Sequence, residues 1–217
     1  NLDRGCDALA FSSRICNGKL FGQNIQEQSD FNRLLQGIDL TRVPLHFDFG
    51  SRAAQALAFL LNYSETQSVT PQGSLLYDPI AELLLSGKLD YCKTGWKKSV
   101  AKFAGYAAQY APHIQPITVQ THPVHNAGGT IVQEMAYALG AGIDYLDALT
   151  DAGMPSSRAA QLIGFSFSVG SNYFLEIARM RAFRLLWAAI LKDYDAANIK
   201  PRIHARTSVW NATIFDP

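Results

Sequence analysis

Two histidines, His122 and His125 in THPVHNAGGTIVQEM, stand beside a glycine pair and run into an apolar helical pattern. An H-x-x-H pair can supply two zinc ligands. A zinc hydrolase also needs a third ligand and a base, and H-E-x-x-H is absent. His46 and His204 lie inside apolar runs, where alternation could turn either one inward. HNAGGT offers a second chemistry, because helix N-terminal amides with glycines favour a phosphate or carboxylate. The same glycines also permit close packing of helix on strand. A nucleophilic serine has less support. No G-x-S-x-G elbow is present, and the serines of GFSFSVG alternate with aromatics as in a packed strand. Asp78, before Pro79, reads as a turn or helix-capping residue.

Whatever these residues do, short apolar runs must position them: DALAF (7–11), VPLHFDF (43–49), SLLYD (74–78), ITVQTH (117–122), GFSFSVG (164–170) and RIHARTS (202–208). Runs of this kind bounded by Gly or Pro suit strands buried on both faces. Between them lie segments of helical period. SDFNRLLQGI has Ser29 as its expected N-cap, and AAQALAFLLNY follows. GWKKSVAKFAGYAAQY ends before Pro112, and NYFLEIARMRAFRLLWAAILKDY opens with Asn172 as a cap. The last of these predicts an outer helix packed on a sheet through Phe174, Ile177, Ala178, Phe183, Leu186, Trp187 and Ile190. Its Arg179, Arg181 and Arg184 read as solvated or structurally paired, with phosphate binding the sharper alternative.

Strict strand–helix alternation implies a parallel sheet with right-handed crossovers. A doubly wound sheet and a (β/α)8 barrel compete. No G-x-G-x-x-G follows the first run, and six strands at about 30 to 40 residues per unit match barrel dimensions. The fold class expected is therefore α/β, of (β/α)8 TIM-barrel type, incomplete, with about six parallel strands and outer helices. Residues 1–217 are read as a single partial barrel domain, because the polar loop at 63–73 is too short to separate domains. The start at NLDRG and the stop at FDP read as a fragment. In a barrel, chemistry sits at the C-terminal strand ends. Here those are Phe49–Gly50, Tyr77–Asp78, His122–Pro123, Ser168–Gly170 and Arg206–Ser208.

The chain has 217 residues, 48% hydrophobic, with a formal net charge of +1. That charge favours neither nucleic acid nor an anionic membrane. Cys6, Cys16 and Cys92 are an odd set without a close pair, read as reduced thiols of a cytoplasmic protein. No apolar run reaches the length of a membrane span.

Three blocks carry a specific resemblance: NAGGTIVQEMAYALGAGIDYLDALTDAG, NYFLEIARMRAFRLLWAAI and HARTSVWNATIFDP. In order and spacing they are similar to the adenosylcobalamin-dependent methylmalonyl-CoA mutase family. FNRLLQGIDLTRVPLHFDF looks like that family's second strand with its preceding helix, and DPIAELLLSGKLDY is typical of its smaller subunit. The resemblance implies a CoA-binding (β/α)8 barrel, followed in the family by a flavodoxin-like cobalamin domain. That domain's D-x-H-x-x-G motif is absent here.

The family register also implies a degenerate site. Aligned on Asn126–Ala127–Gly128, the catalytic Tyr and His of S-G-Y-H-M fall on His122 and Pro123. The substrate-binding Gln falls on Tyr77, and the substrate-carboxylate Arg near Gly87. The CoA-contacting Arg and Ser fall on Leu162 and Gly164. In Q-T-S-G-W, the Gln has become Arg206 and the Gly has become Val209. Proline cannot donate a hydrogen bond or exchange a proton. The resemblance thus implies a non-catalytic small subunit in a heterodimer with a catalytic large subunit, interconverting methylmalonyl-CoA and succinyl-CoA. Adenosylcobalamin acts in the complex, and no cofactor or metal is expected on this chain. His122 and His125 are then leftovers, free to drift. The alternative is an active acyl-CoA mutase with a different acyl-CoA substrate. Six strands cannot close an eight-stranded barrel, so an exposed edge and self-association of the fragment are also expected.

Overall fold

Strands form where the apolar runs predict them: those of ITVQTH and GFSFSVG are buried as expected, whereas the strand in RIHARTS is largely exposed, a correction to the expectation that every run is buried on both faces. The computed structural model describes residues 5–16, 19–88 and 95–212. Cys92 lies outside the described residues. Cys6 is an exposed free thiol. The chain divides into two compact units, Asn1–Thr118 and Val119–Pro217. Each alternates parallel strands with helices, the repeat of an incomplete (β/α)8 barrel.

The first unit starts with β1 (Leu9–Cys16), which turns back as β2 (Lys19–Gly22) in an antiparallel hairpin. DALAF alone does not reveal this return, because β2 is exposed along its whole length and carries no burial pattern. There follow α1 (Gln28–Leu35), β3 (Leu45–Asp48), α2 (Ala53–Gln67), β4 (Gly73–Tyr77), α3 (Pro79–Ser86) and α4 (Trp96–Tyr110). β5 (Ile114–Gln120) then carries the chain into the second unit. The strand order is β2-β1-β3-β4-β5, parallel from β1 onward. Phe31 of α1 packs on Phe47 of β3 with ring centroids 5.2 Å apart, and Leu57, Leu60 and Leu75 close the same core. Ser29 is not the cap of α1. Glu27 is, and its N–H donates to the Asp30 carboxylate at 3.3 Å, which places Ser29 inside the first turn. Asp78 caps α3 as expected, accepting from Ala81 N–H at 3.0 Å.

The second unit contains α5 (His122–Asn126), α6 (Ile131–Asp151), α7 (Ser156–Leu162), β6 (Ile163–Val169), α8 (Tyr173–Asp193) and β7 (Arg202–Thr207). A 3-10 turn at Val209–Asn211 follows. β6 and β7 pair in parallel from Gly164↔Arg202 to Val169↔Thr207. Phe165 and Phe167 point to the helices, where Phe183 and Trp187 meet them edge-on at 4.6 to 4.9 Å. Asn172 caps α8 through Leu175 N–H. The packed face of α8 differs from the expected one. Glu176, Arg179, Phe183, Trp187 and Leu191 are buried, whereas Phe174, Ile177 and Leu186 are exposed. An ionic pair takes the turn nearest the strand ends, which rotates part of the apolar set into solvent. Among the described residues, no helix is long and apolar enough to cross a membrane.

Candidate functional site: the strand ends of each unit

In the first unit, Tyr77 closes β4 at 4% exposure, and its ring meets Phe103 of α4 edge-on at 4.9 Å. The ring is thereby committed to the helix side of the strand. Gly87 ends α3 at φ +68°, with its N–H bonded to Leu83 O at 2.8 Å. A residue in the left-handed region at a helix C-terminus is most often glycine, so helix termination accounts for this position. Beyond β3, Arg14 is held between Asp48 at 3.3 Å and Glu82. Arg52 donates to both the carbonyl and the hydroxyl of Ser13.

The second unit holds the denser cluster. Glu134, in the first turn of α6, is fully buried and accepts from Thr121 Oγ1 at 2.9 Å. Its other oxygen lies 2.7 Å from His125 Nδ1. Arg179 of α8, also without exposed side-chain area, sets Nη1 3.2 Å from Glu134 Oε2. That contact is an ion pair rather than an aligned hydrogen bond, since Nη1 has no bond of good geometry. Arg179 Nη2 reaches Ser168 O and the Glu176 carboxylate, and the guanidinium lies over the Phe167 ring. Glu176 accepts from Gly170 N–H at 2.8 Å. His125 Nε2 lies 2.6 Å from Ser208 Oγ, which also accepts from Trp210 N–H, and the Trp210 indole donates to His125 O. The network ties the start of α6, the start of α8 and the ends of β6 and β7 together. A buried ion group of this kind is costly to form and costly to break one-sidedly.

Ser208, His125 and Glu134 have the spacing of a nucleophile, base and carboxylate relay. Ser208 is only 2% exposed, however, and its own N–H is bonded to Val169 O. A substrate carbonyl cannot reach the hydroxyl, and the Ser208 N–H is spent on Val169 rather than on an oxyanion. The arrangement is structural. It also corrects the expectation that His125 is free to drift, because both ring nitrogens are engaged. His122 opens α5 at 8% exposure, with Pro123 in the same first turn.

The glycine stretch before α6 is closed from within. Thr130 Oγ1 caps Gln133 N–H and the Gln133 side chain returns to Thr130 N–H. A Cβ on Gly129 would come within 2.6 Å of Val124, so close packing accounts for this glycine.

Leu162 and Gly164 sit where β6 begins, Leu162 buried as the last residue of α7. Arg206 pairs in register with Ser168 near the other end of β7, and Val209 is half-exposed in the following turn. Four residues of strand, about 13 Å at about 3.3 Å each, separate Gly164 from Ser168. Leu162 and Gly164 therefore belong to the opposite end of the strand from Arg206 and Val209. His46 and His204 each face a serine on the neighbouring strand, Ser74 and Ser166, at 2.8 Å. Burial, and next the charge of Arg206, hold the His204 imidazole below its ordinary value. Among the described residues, no three His, Cys, Asp or Glu side chains come together as metal ligands.

Glu134, Glu176, Thr121 and Ser208 were not legible as a group beforehand. The one local signal was the i, i+3 pair of Glu176 and Arg179 on a helix otherwise rich in apolar residues.

Curated proteins and a family model match along most of the chain. The methylmalonyl-CoA mutase small subunit of Porphyromonas gingivalis is 38% identical over 191 residues, 84% of this chain and 30% of that protein. The small subunit of Streptomyces virginiae is 34% identical over 85% of this chain and 30% of its own length. The large subunit of Porphyromonas gingivalis is 32% identical over 90% of this chain and 28% of its own length. The chain thus spans about 30% of the length of the curated relatives it matches. The family model for methylmalonyl-CoA mutase matches residues 5–217, and the chain belongs to that family.

Proposed function

We propose that this chain is part of the small, non-catalytic subunit of a methylmalonyl-CoA mutase, working beside a catalytic large subunit in a heterodimer. The complex interconverts methylmalonyl-CoA and succinyl-CoA, and residues 1–217 contribute one partial barrel domain to it. The observation that carries this reading is Pro123. It stands in the first turn of α5, at the position matching the family's catalytic His, and has neither a donor nor a titratable group. Identity to the Porphyromonas gingivalis small subunit exceeds that to the large one, 38% against 32%, which supports the same choice.

Adenosylcobalamin supplies the radical chemistry of such a complex when bound. His125 is not free to serve as a ligand to it, because both ring nitrogens are in hydrogen bonds. The chain's own contribution is a rigid barrel segment, with Arg179 and its two carboxylates fixing the strand ends from behind. The test is turnover of methylmalonyl-CoA by the full-length chain purified with and without the large subunit. Turnover is expected only with it, and appreciable turnover by the chain alone overturns the reading.

A further inference from the structure

On α8, Phe174, Leu175, Ala178, Ala182, Leu185 and Leu186 fall within about 120° of arc at about 3.6 residues per turn. This stripe lies on the side away from the buried Phe183 and Trp187. Phe174 is 80% exposed and Leu185 74%. The helix thus carries two apolar faces, of which the sheet uses one. A helix apolar on both sides is ordinarily covered on both. Leu175, Ala178 and Ala182 of the stripe also form one wall of a cavity of about 670 Å³ whose other wall is Ile131, Val132 and Met135 of α6. Val132 and Tyr173 beside it are also largely exposed. Large apolar side chains left bare side by side in this way mark an interaction surface.

The charges beside the stripe select the occupant. Arg181 is exposed at one of its edges, and Arg184 is exposed about 60° further round the helix on the same side. A second copy docking α8 on α8 about a two-fold axis near residue 182 sets Arg181 against its own image. Like charges directly opposed at an interface cost affinity. An apolar helix with acidic residues on one flank meets no such penalty and fits the small-residue floor at Ala178 and Ala182.

We propose that the groove between α6 and α8, with the exposed stripe of α8, docks an apolar, acid-flanked helix of the mutase large subunit. This rests on the subunit reading above. The test is binding of the full-length chain to the large subunit, followed by sedimentation and calorimetry, for the wild type, F174E/L185E and R181E/R184E. The first variant is expected to weaken binding about 30-fold or more, as a hot-spot loss does, with its own melting temperature unchanged. The second is expected to slow association about tenfold and flatten its salt dependence. Normal binding by F174E/L185E beside normal wild-type binding overturns the docking site alone. No binding by the wild type overturns the subunit reading as well. A homodimer broken by F174E/L185E with heterodimer binding intact assigns the face to a second copy. A lower melting temperature of the isolated variant assigns it to the chain's own remainder. Either of these last two outcomes overturns the proposal.

Discussion

Replacing Arg179 by methionine removes the one cation from a buried site and leaves Glu134 and Glu176 behind. Both carboxylates keep donors, Thr121 and His125 for the first and Gly170 N–H for the second. Methionine fills comparable volume against Phe167. What remains is two uncompensated carboxylates, and one-sided loss of a buried pair costs about 3–5 kcal/mol. At about 2–4 °C per kcal/mol for a chain of this size, the melting point falls by roughly 6 to 20 °C. Urea and thermal unfolding followed by Trp187 fluorescence and circular dichroism measure this. E134Q alone is expected to lose about 1–2 kcal/mol, because Gln keeps the shape and Glu176 still pairs with Arg179. The double variant R179M/E134Q should fall short of additivity by more than about 1 kcal/mol, since the two residues are in contact. A loss below about 1 kcal/mol for R179M, or strict additivity in the cycle, refutes the cluster as a coupled ionic lock.

Two further titrations follow from single groups. His204 is held below its ordinary value of 6.5, so below that pH the unfolded chain binds more protons than the folded one. Stability therefore falls as the pH drops from 7 toward 5, and H204N should flatten that slope in pH-dependent urea melts; an unchanged slope speaks against it. Tyr194 donates to Asp147 Oδ1 at 2.6 Å, and this bond first, burial second, push its hydroxyl up to about 12. Its share of stability is present below pH 10 and lost between pH 10 and 12. Y194F should cost about 1 kcal/mol at neutral pH and remove one late-titrating tyrosinate from the absorbance curve near 295 nm.

Position in the chain was enough to place the strands that hairpins do not hide. VPLHFDF, SLLYD, ITVQTH, GFSFSVG and RIHARTS all contain strands, the first four because apolar and aromatic runs fit a pleated, buried surface, the last as an exposed strand paired in register with its neighbour. The Asp78 and Asn172 caps were equally local, each a side-chain oxygen meeting an amide three residues on. β2 escaped notice because an exposed edge strand needs no apolar code. The packed face of α8 was misjudged because helical spacing ranks apolar residues inward and cannot see that Glu134, from a helix before it in the chain, requires Arg179 there.

Family membership was thus written in linear blocks of residues, which survive without any contact being known. The fates of His122 and His125 were not. His125 joins a buried network that its spacing from His122 does not announce. The network depends on Glu134 and Ser208, nine and eighty-three residues from His125 in sequence and within 3 Å of it in space. Local sequence sets which element forms. Only the packing of elements against one another decides which polar side chain has a partner, and a buried charge makes that decision the costly one.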